Sequence, residues 1–392
     1  GLRGLDPAQL RMPLVLKPYE HENAQLGYLP DYPVEHEMYF DPANRPFTRA
    51  KGGLATMEGG TWTTTSLAKA VTRREPPFDG KGFSLAMSKV AFDADNGVYL
   101  LARRGRQAAL MRSSDAGRSF DAFLLPERKD KSSSYDIEQF SGHNTPDGPP
   151  PILRYTCTEV DPNVFWRRVN DLELILAEKE GDRIVFQKPI LISDKCIGLA
   201  AHSGIPATVV SRGDRVHVVW GEATDPAQKT PGVPAYVATY NRTTGQLSQP
   251  ALVAYGPPAN DVHNSPSITQ DSKGYLHVLA GTHGRPFPYA RSLSPNDAGA
   301  GWTEAELLGQ DLRQTYIGMV CDLDETLHVV YRLWRSGVEP HPASSHAVLA
   351  HQRKPADGPW QTPEALVVPP FSEYSVFYHR LTIDRMGRLF VS

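Results

Sequence analysis

Residues 206–220 read PATVVSRGDRVHVVW, and residues 266–280 read PSITQDSKGYLHVLA. Pro206 answers to Pro266 and Gly213 to Gly274, at an offset of sixty or sixty-one, and the triplets Val-His-Val at 216–218 and Leu-His-Val at 276–278 fall in step. A third copy, GMVCDLDETLHVVYR at 318–332, places Leu327-His328-Val329 fifty-one residues further on. Weaker copies are SKVAFDADNGVYLLARR (88–104), DLELILAEKEGDRIVF (171–186) and RLTIDRMGRLFVS (380–392). Each is a short alternating run, a polar Asp or Gly turn and a second β-branched run, the pattern of a strand hairpin. Between the copies lie further strand-turn-strand phrases, such as AYVATYNRTTGQLSQPALV at 235–253. Four strands per unit of about 50 to 60 residues is the spacing of propeller blades, and a chain of this length holds about seven such units. The expectation is an all-β fold, a seven-bladed β-propeller of four-stranded antiparallel blades formed by residues 1–392 as one domain. Because the chain ends in the strand RLFVS, an N-terminal strand within MPLVLKPYE (12–20) or GGTWTTTSL (59–67) is expected to complete the last blade. Two packed β-sandwiches fit a repeat of this length poorly.

A second repeat points the same way. Ser113, Asp115, Gly117 and Phe120 in SSDAGRSF fit the spacing Ser-x-Asp-x-Gly-x-x-aromatic, and Asp297, Gly299 and Trp302 in PNDAGAGW repeat its core about three blades later. The Asp caps turn amides, the glycine permits positive φ and the aromatic packs between blades, which are structural tasks. This pattern resembles the Asp-box of the bacterial neuraminidase repeat, found in many carbohydrate-active propellers. A propeller by itself fixes no function.

Composition narrows the partners. The 392 residues carry a formal charge of −3, without the basic stripe that a nucleic-acid partner needs. The 32 glycines and 34 prolines are spread along the chain and argue against long helices, and a hydrophobic fraction of 40% suits a globular chain rather than a membrane span. Cys157, Cys196 and Cys321 form neither a CxxC pair nor a disulfide framework.

Chemistry-bearing residues collect at the expected strand starts: SGHNTPDG (His143, Asn144), AAHSGIP (His202), DVHNSPS (His263, Asn264), QTYIGM (Tyr316) and SEYSVFYHR (Tyr374, Tyr378, His379). Aligning the triplets at 276 and 327 sets His263 opposite Gln314, so Tyr316, two positions on, shares its face. By the same offset Arg332 matches Gly281, two positions from His283. His263, His283, Tyr316 and Arg332 are therefore expected to converge at one end of the ring. His217, His277 and His328 recur at one strand position and read as structural.

The phrases HNSP at His263, GTHG at His283, TYIG at Tyr316 and VYR at Arg332, with separations of twenty and sixteen residues, resemble the propeller polysaccharide lyases typified by ulvan lyases, together with related rhamnose-glucuronate lyases and rhamnosidases. The resemblance covers residues 260 to 335. It implies a secreted or periplasmic, monomeric catalytic domain that cleaves a uronic-acid-containing polysaccharide or oligosaccharide by β-elimination, without nucleic-acid or membrane partners. Such chemistry removes the C5 proton of a uronate and expels the group at C4. Arg332 would neutralise the carboxylate, Tyr316 and His263 would act as the base and acid pair in either order, and His283 would position substrate or share the proton transfer. His143, His202, Asn264, Arg285, Tyr289 and Arg291 are the expected substrate contacts. No cofactor is required for elimination. The resemblance allows a structural zinc or calcium, for which Cys196 with His202, or Cys321 with His328, offer ligands. The competing readings are a glycoside hydrolase on the same scaffold, rhamnosidase-like or sialidase-like, which needs paired carboxylates or an arginine triad, and a non-catalytic carbohydrate-binding propeller.

Overall fold

The computed structural model describes residues 37–50, 52–73, 83–85, 89–128, 131–200, 207–369, 376 and 378–392. Within them seven sheets follow one another along the sequence, besides one protruding hairpin, Ala177–Glu180 with Arg183–Phe186. Six of the sheets have four or five strands and the last, Leu381–Ile383 with Leu389–Val391, has two. Neighbouring strands pair antiparallel except Val71–Arg73, which runs parallel beside Phe120–Leu124. The architecture is a β-propeller, with a sheet count consistent with seven blades.

One device builds the inner hairpins. Where the innermost strand ends, an aspartate turns back and its carboxylate accepts the backbone N–H four residues later. Asp41 receives it from Arg45 at 2.8 Å, Asp93 from Gly97 at 2.6 Å, and Asp271, Asp322 and Asp384 from Tyr275, Thr326 and Arg388 at 2.8 Å each. The carboxylate thus satisfies an amide that the tight turn would otherwise leave unpaired. The fourth sheet substitutes Arg212-Gly213, with Gly213 at φ 56°.

The apolar interior lies in layers between adjacent sheets. Phe47 and Leu54 of the first sheet pack with Leu100, Met111 and Phe120 of the second, and Val209, Val218 and Trp220 of the fourth pack with Leu153, Leu172 and Leu174 of the third. The Asp-box at 113–120 fastens one such layer: the Ser119 amide donates to Asp115 at 2.9 Å, the Gly117 amide to Ser113 Oγ at 2.8 Å, and Phe120 is fully buried. Gly117 combines φ 81° with a site where a Cβ would lie 2.9 Å from Leu54. The second copy is partial. Asp297–Trp302 is itself a strand, Asp297 is exposed, and the positive φ falls on Gly301 rather than Gly299.

First and last sheets meet. Arg380 donates to Glu37 at 2.6 Å, Asn44 donates to Asp384 at 3.3 Å, and the Arg385 amide donates to Asn44 at 2.8 Å. Of the two segments expected to complete the last blade, residues 12–20 lie outside the described residues, and Thr61–Ser66 is instead the outer strand of the first sheet.

The third sheet departs from the expected repeat. Its order is Ser133–Ile137, Ile152–Glu159, Val169–Ile175 and Ile190–Cys196, so DLELILAEKEGDRIVF supplies the third strand and the protruding hairpin, not the inner hairpin. Residues 138–151 separate the two inner strands and hide their pairing in the sequence. This segment runs across the ring axis. The Cys321 amide donates to Ser141 O at 2.9 Å, Ser141 Oγ and Thr269 Oγ1 lie 3.0 Å apart, the Ala94 amide donates to Pro146 O at 2.9 Å, and Arg385 donates to Thr145 Oγ1 at 3.0 Å while its guanidinium covers Phe140. Ser211 binds the Glu138 carboxylate through its amide at 2.6 Å and its hydroxyl at 2.5 Å. A segment that touches the second, fourth, fifth, sixth and seventh sheets at their inner hairpins closes the axis at that end.

Candidate active site

At the other end of the axis the chain turns tightly before the inner strand Ser267–Gln270. Asp261 caps the single turn Val262–Asn264 and accepts the His263 amide at 2.9 Å. Asn264 donates to Gly256 O at 2.9 Å and Pro258 O at 2.6 Å, so its side chain holds the loop rather than facing solvent. A second segment approaches closely at Gly281, where a Cβ would sit 2.5 Å from the Asn264 carbonyl carbon. That glycine brings His283 against His263, with ring centroids 5.0 Å apart.

Asp261 joins the two imidazoles. Its Oδ1 lies 2.7 Å from His263 Nδ1 and its Oδ2 lies 2.8 Å from His283 Nδ1. Burial favours the neutral acid, but the hydrogen bonds from both rings and from the His263 amide outweigh it and hold the carboxyl well below the usual carboxylate range. An ionised carboxylate only accepts, so both Nδ1 atoms carry the proton and each Nε2 is directed away from Asp261.

Tyr316 comes from the sixth sheet, near the start of Arg313–Cys321. The strand has a bulge between Thr315 and Gly318, and Tyr316 has φ 68°. The shared-face expectation for His263 and Tyr316 assumed regular alternation; the bulge breaks it and re-aims the ring. The Tyr316 ring lies 6.1 Å from His263 and 5.7 Å from Tyr378. Arg332, on the paired strand Leu327–Ser336, places its guanidinium 4.3 Å from the Tyr316 ring centroid and is 1% exposed. The four expected residues are therefore in one chain of contacts, His283, His263, Tyr316 and Arg332. Tyr316 is itself only 5% exposed, and Arg332 lies against the face of its ring rather than at the opening.

Two aromatic side chains of this wall carried no motif. Phe165 and Trp166 belong to a turn of the third sheet that reaches across the mouth, with the Phe165 amide donating to Asn260 O at 2.8 Å. Their rings lie 5.1 Å and 5.4 Å from His263, and they are 51% and 45% exposed. Trp166 sits at φ 65° and Arg167 at φ 54°. Asp261 was likewise missed, although an Asp two residues before His263 at a capping position was readable as an anchor for that ring.

Other expected contacts lie elsewhere. His143 and Asn144 are not at a strand start: they follow Ser133–Ile137 within the axial segment, where His143 lies beside Asp322 at the hairpin end and Asn144 bonds to Glu138 and Ser141. Cys321, next to Asp322, is five residues along the strand from Tyr316, about 16 Å at ordinary strand rise. Tyr289 and Arg291 line a groove of about 480 Å³ between the fifth and sixth sheets with Tyr275, His277 and Lys354. Arg285 is exposed at the cluster's rim, two residues from His283. His202 and Tyr374 fall outside the described residues. His379 is buried, its Nε2 2.9 Å from Val330 O, and burial pushes it down to about 4. The recurrent histidines are internal fixtures: His217 pairs with Thr239, His277 with Tyr289, and His328 with His351 and Asp322. His328 is thus engaged away from Cys321.

Two groups among the described residues bring three ligand-type atoms within 4.8 Å of one another, Asp261 with His263 and His283, and His143 with Cys321 and Glu325. In the first, both Nδ1 atoms already face the Asp261 carboxylate.

Fold and cluster together define a propeller with an aspartate, two histidines and a tyrosine gathered at one end of its axis. Residues 209–391, fewer than half of the chain, match the model of a BNR repeat-containing family member. No curated protein matches the chain. Solved structures with similarity include the Penicillium chrysogenum α-L-arabinanase complexed with arabinobiose, at 13% identity, TM-score 0.44, covering 82% of this chain and 92% of that one. Trypanosoma rangeli sialidase is similar at 12% identity and TM-score 0.41, over 86% of this chain and 54% of that one, and polysaccharide lyase Uly1 at 14% and 0.31, over 47% and 46%. At these values the likenesses decide neither substrate nor reaction.

Proposed function

We propose that the chain is a carbohydrate-active lyase that breaks a uronate-containing glycan, of the ulvan or rhamnose-glucuronate kind, by β-elimination at the His263–Tyr316 mouth. The observation that supports this reading most is the carboxylate shared by two imidazoles. Hydrolysis by paired carboxyl groups needs one that is protonated and able to give its proton to the leaving oxygen. Asp261 is held ionised and engaged by both histidines, whereas elimination needs a neutral base and a weak acid side by side.

In this reading His263 Nε2, with Nδ1–H directed to Asp261, removes the C5 proton. The C5 electron pair forms the C4=C5 bond, the C4–O bond breaks, and the Tyr316 hydroxyl protonates the leaving oxygen. Asp261 stabilises the imidazolium that forms, and the Arg332 charge beneath the Tyr316 ring stabilises negative charge developing on its oxygen. Neutralisation of the substrate carboxylate passes from buried Arg332 to groups at the rim, where Arg285 and Arg167 are exposed. Phe165 and Trp166 offer stacking faces for a sugar ring.

The test is the ultraviolet absorbance of unsaturated uronate on ulvan, glucuronan and rhamnose-capped glucuronates. The wild-type chain should generate it and Tyr316→Phe should lose at least about 100-fold in rate. Reducing sugar without absorbance would identify hydrolysis and overturn the assignment, and so would full activity in Tyr316→Phe.

A further inference from the structure

We propose that His143, Cys321 and Glu325 bind one divalent d-block cation of the zinc type, which fastens the axial segment to the sixth sheet. The site is about 16 Å from the mouth cluster along the strand and has no part in the chemistry proposed there.

Local structure brings the three together. Cys321 ends the strand Arg313–Cys321, Glu325 sits in the hairpin turn that follows at φ 62°, and His143 arrives from the axial segment. Gly142 makes the approach possible, since a Cβ there would lie 1.9 Å from Cys321 O. The imidazole Nε2 of His143 is 3.9 Å from Glu325 Oε2 and 2.8 Å from Asp322 O, and Cys321 Sγ is 3.8 Å from Asp322 O. Zinc bonds of about 2.0–2.3 Å to nitrogen, oxygen and sulfur set tetrahedral edges of roughly 3.3–3.8 Å. Ligand atoms within 4.8 Å of one another therefore need to approach by no more than about 1–1.5 Å to close on an ion, with His143 Nε2 giving up its proton and its hydrogen bond to Asp322 O.

Donor chemistry selects the class of ion. Thiolate, imidazole and carboxylate suit zinc and its neighbours, whereas calcium and magnesium require a shell of oxygens. Cys321 is fully buried. Burial keeps its thiol neutral, so sulfur becomes a ligand only as the incoming cation displaces its proton to water. With the ion in place a surface of the sixth sheet and the segment crossing the axis become one unit.

The experiment uses the full chain, stripped by dialysis against a chelator and titrated with cobalt(II), then zinc(II). One equivalent of cobalt should give a thiolate-to-metal charge-transfer band, zinc should abolish that band and raise the melting temperature, and Cys157→Ser should behave as wild type. Cys321→Ser should lose the band. His143→Ala, which alters a part-exposed side chain, should weaken zinc binding by roughly 100-fold. Cobalt at the Asp261 cluster would produce no thiolate band, so the two groups are distinguishable. A folded, stripped protein that gives no band, a band that survives Cys321→Ser, or unchanged affinity in His143→Ala would overturn the proposal. None of these readouts depends on glycan cleavage.

Discussion

Replacing Asp261 by asparagine keeps the size of the side chain and removes its charge. The amide can still accept from the His263 side, but the NH2 it offers to His283 meets a nitrogen that carries a proton, so that ring must rotate or change tautomer. The Oδ1–Nδ1 distance of 2.7 Å and side-chain exposures of 10% and 11% place the His263 pair in a poorly solvated setting. There a charge-assisted hydrogen bond contributes about 1.5–3 kcal/mol, and loss of the partner to a forming imidazolium adds to it. We take about 2–4 kcal/mol of transition-state stabilisation, a drop of about 30-fold to 1,000-fold in kcat/KM. The assay is the initial rate of unsaturated-product absorbance, with circular dichroism and melting temperature as checks on folding. The Asp261→Asn and His283→Ala losses should also combine less than additively, because both act on one carboxylate. Because the Asp261 carboxyl lies below its usual range, its stabilising effect is present above its unfolded pKa and is lost only as pH falls through the lower folded value. Any acid limb of the rate above about pH 4 therefore belongs to another group. A folded Asp261→Asn protein within threefold of wild-type rate would refute the role assigned to the shared carboxylate.

Trp166→Ala removes a stacking face from the mouth and should raise KM roughly tenfold with little change in kcat; unchanged KM would remove Trp166 from the sugar site. Phe120→Ala should cost about 3–5 kcal/mol in denaturant unfolding, because its ring fills the layer between the first two sheets; a loss below about 1 kcal/mol would contradict that packing. Glu138 is pushed up to about 7 by burial, which the hydrogen bonds from Ser211 and Asn144 only partly offset. Its stabilising contribution is complete below its unfolded pKa and disappears as pH rises through the folded value, so between about pH 4.5 and 7 the melting temperature should fall. Glu138→Gln should flatten part of that fall, and identical pH curves for the two proteins would refute it.

The inner hairpins at 209–221 and 267–279 were legible because Gly213, Gly274 and the histidine triplets fix turn and register locally. The same regularity placed His263, His283, Tyr316 and Arg332 together. What alternation could not supply was the direction of each side chain: one bulge at Tyr316 turned its ring over Arg332, and both side chains are buried. The third sheet was misread because residues 138–151 part its inner strands, and a hairpin is recognised by the shortness of its turn. Phe165 and Trp166 were invisible for a different reason. They come from another sheet, and the contact with His263 depends on the curvature of the whole ring.

The segment across the axis turns a ring into a vessel with one mouth. Under the proposed elimination a polymer would not be drawn through it, and each cleavage would take place on a stretch of glycan laid across or dipped into the rim. Both fragments would leave by the way they came. Release of the first fragment then competes with entry of the next chain for the same space, and product inhibition should track the length of the fragment that still covers Phe165 and Trp166.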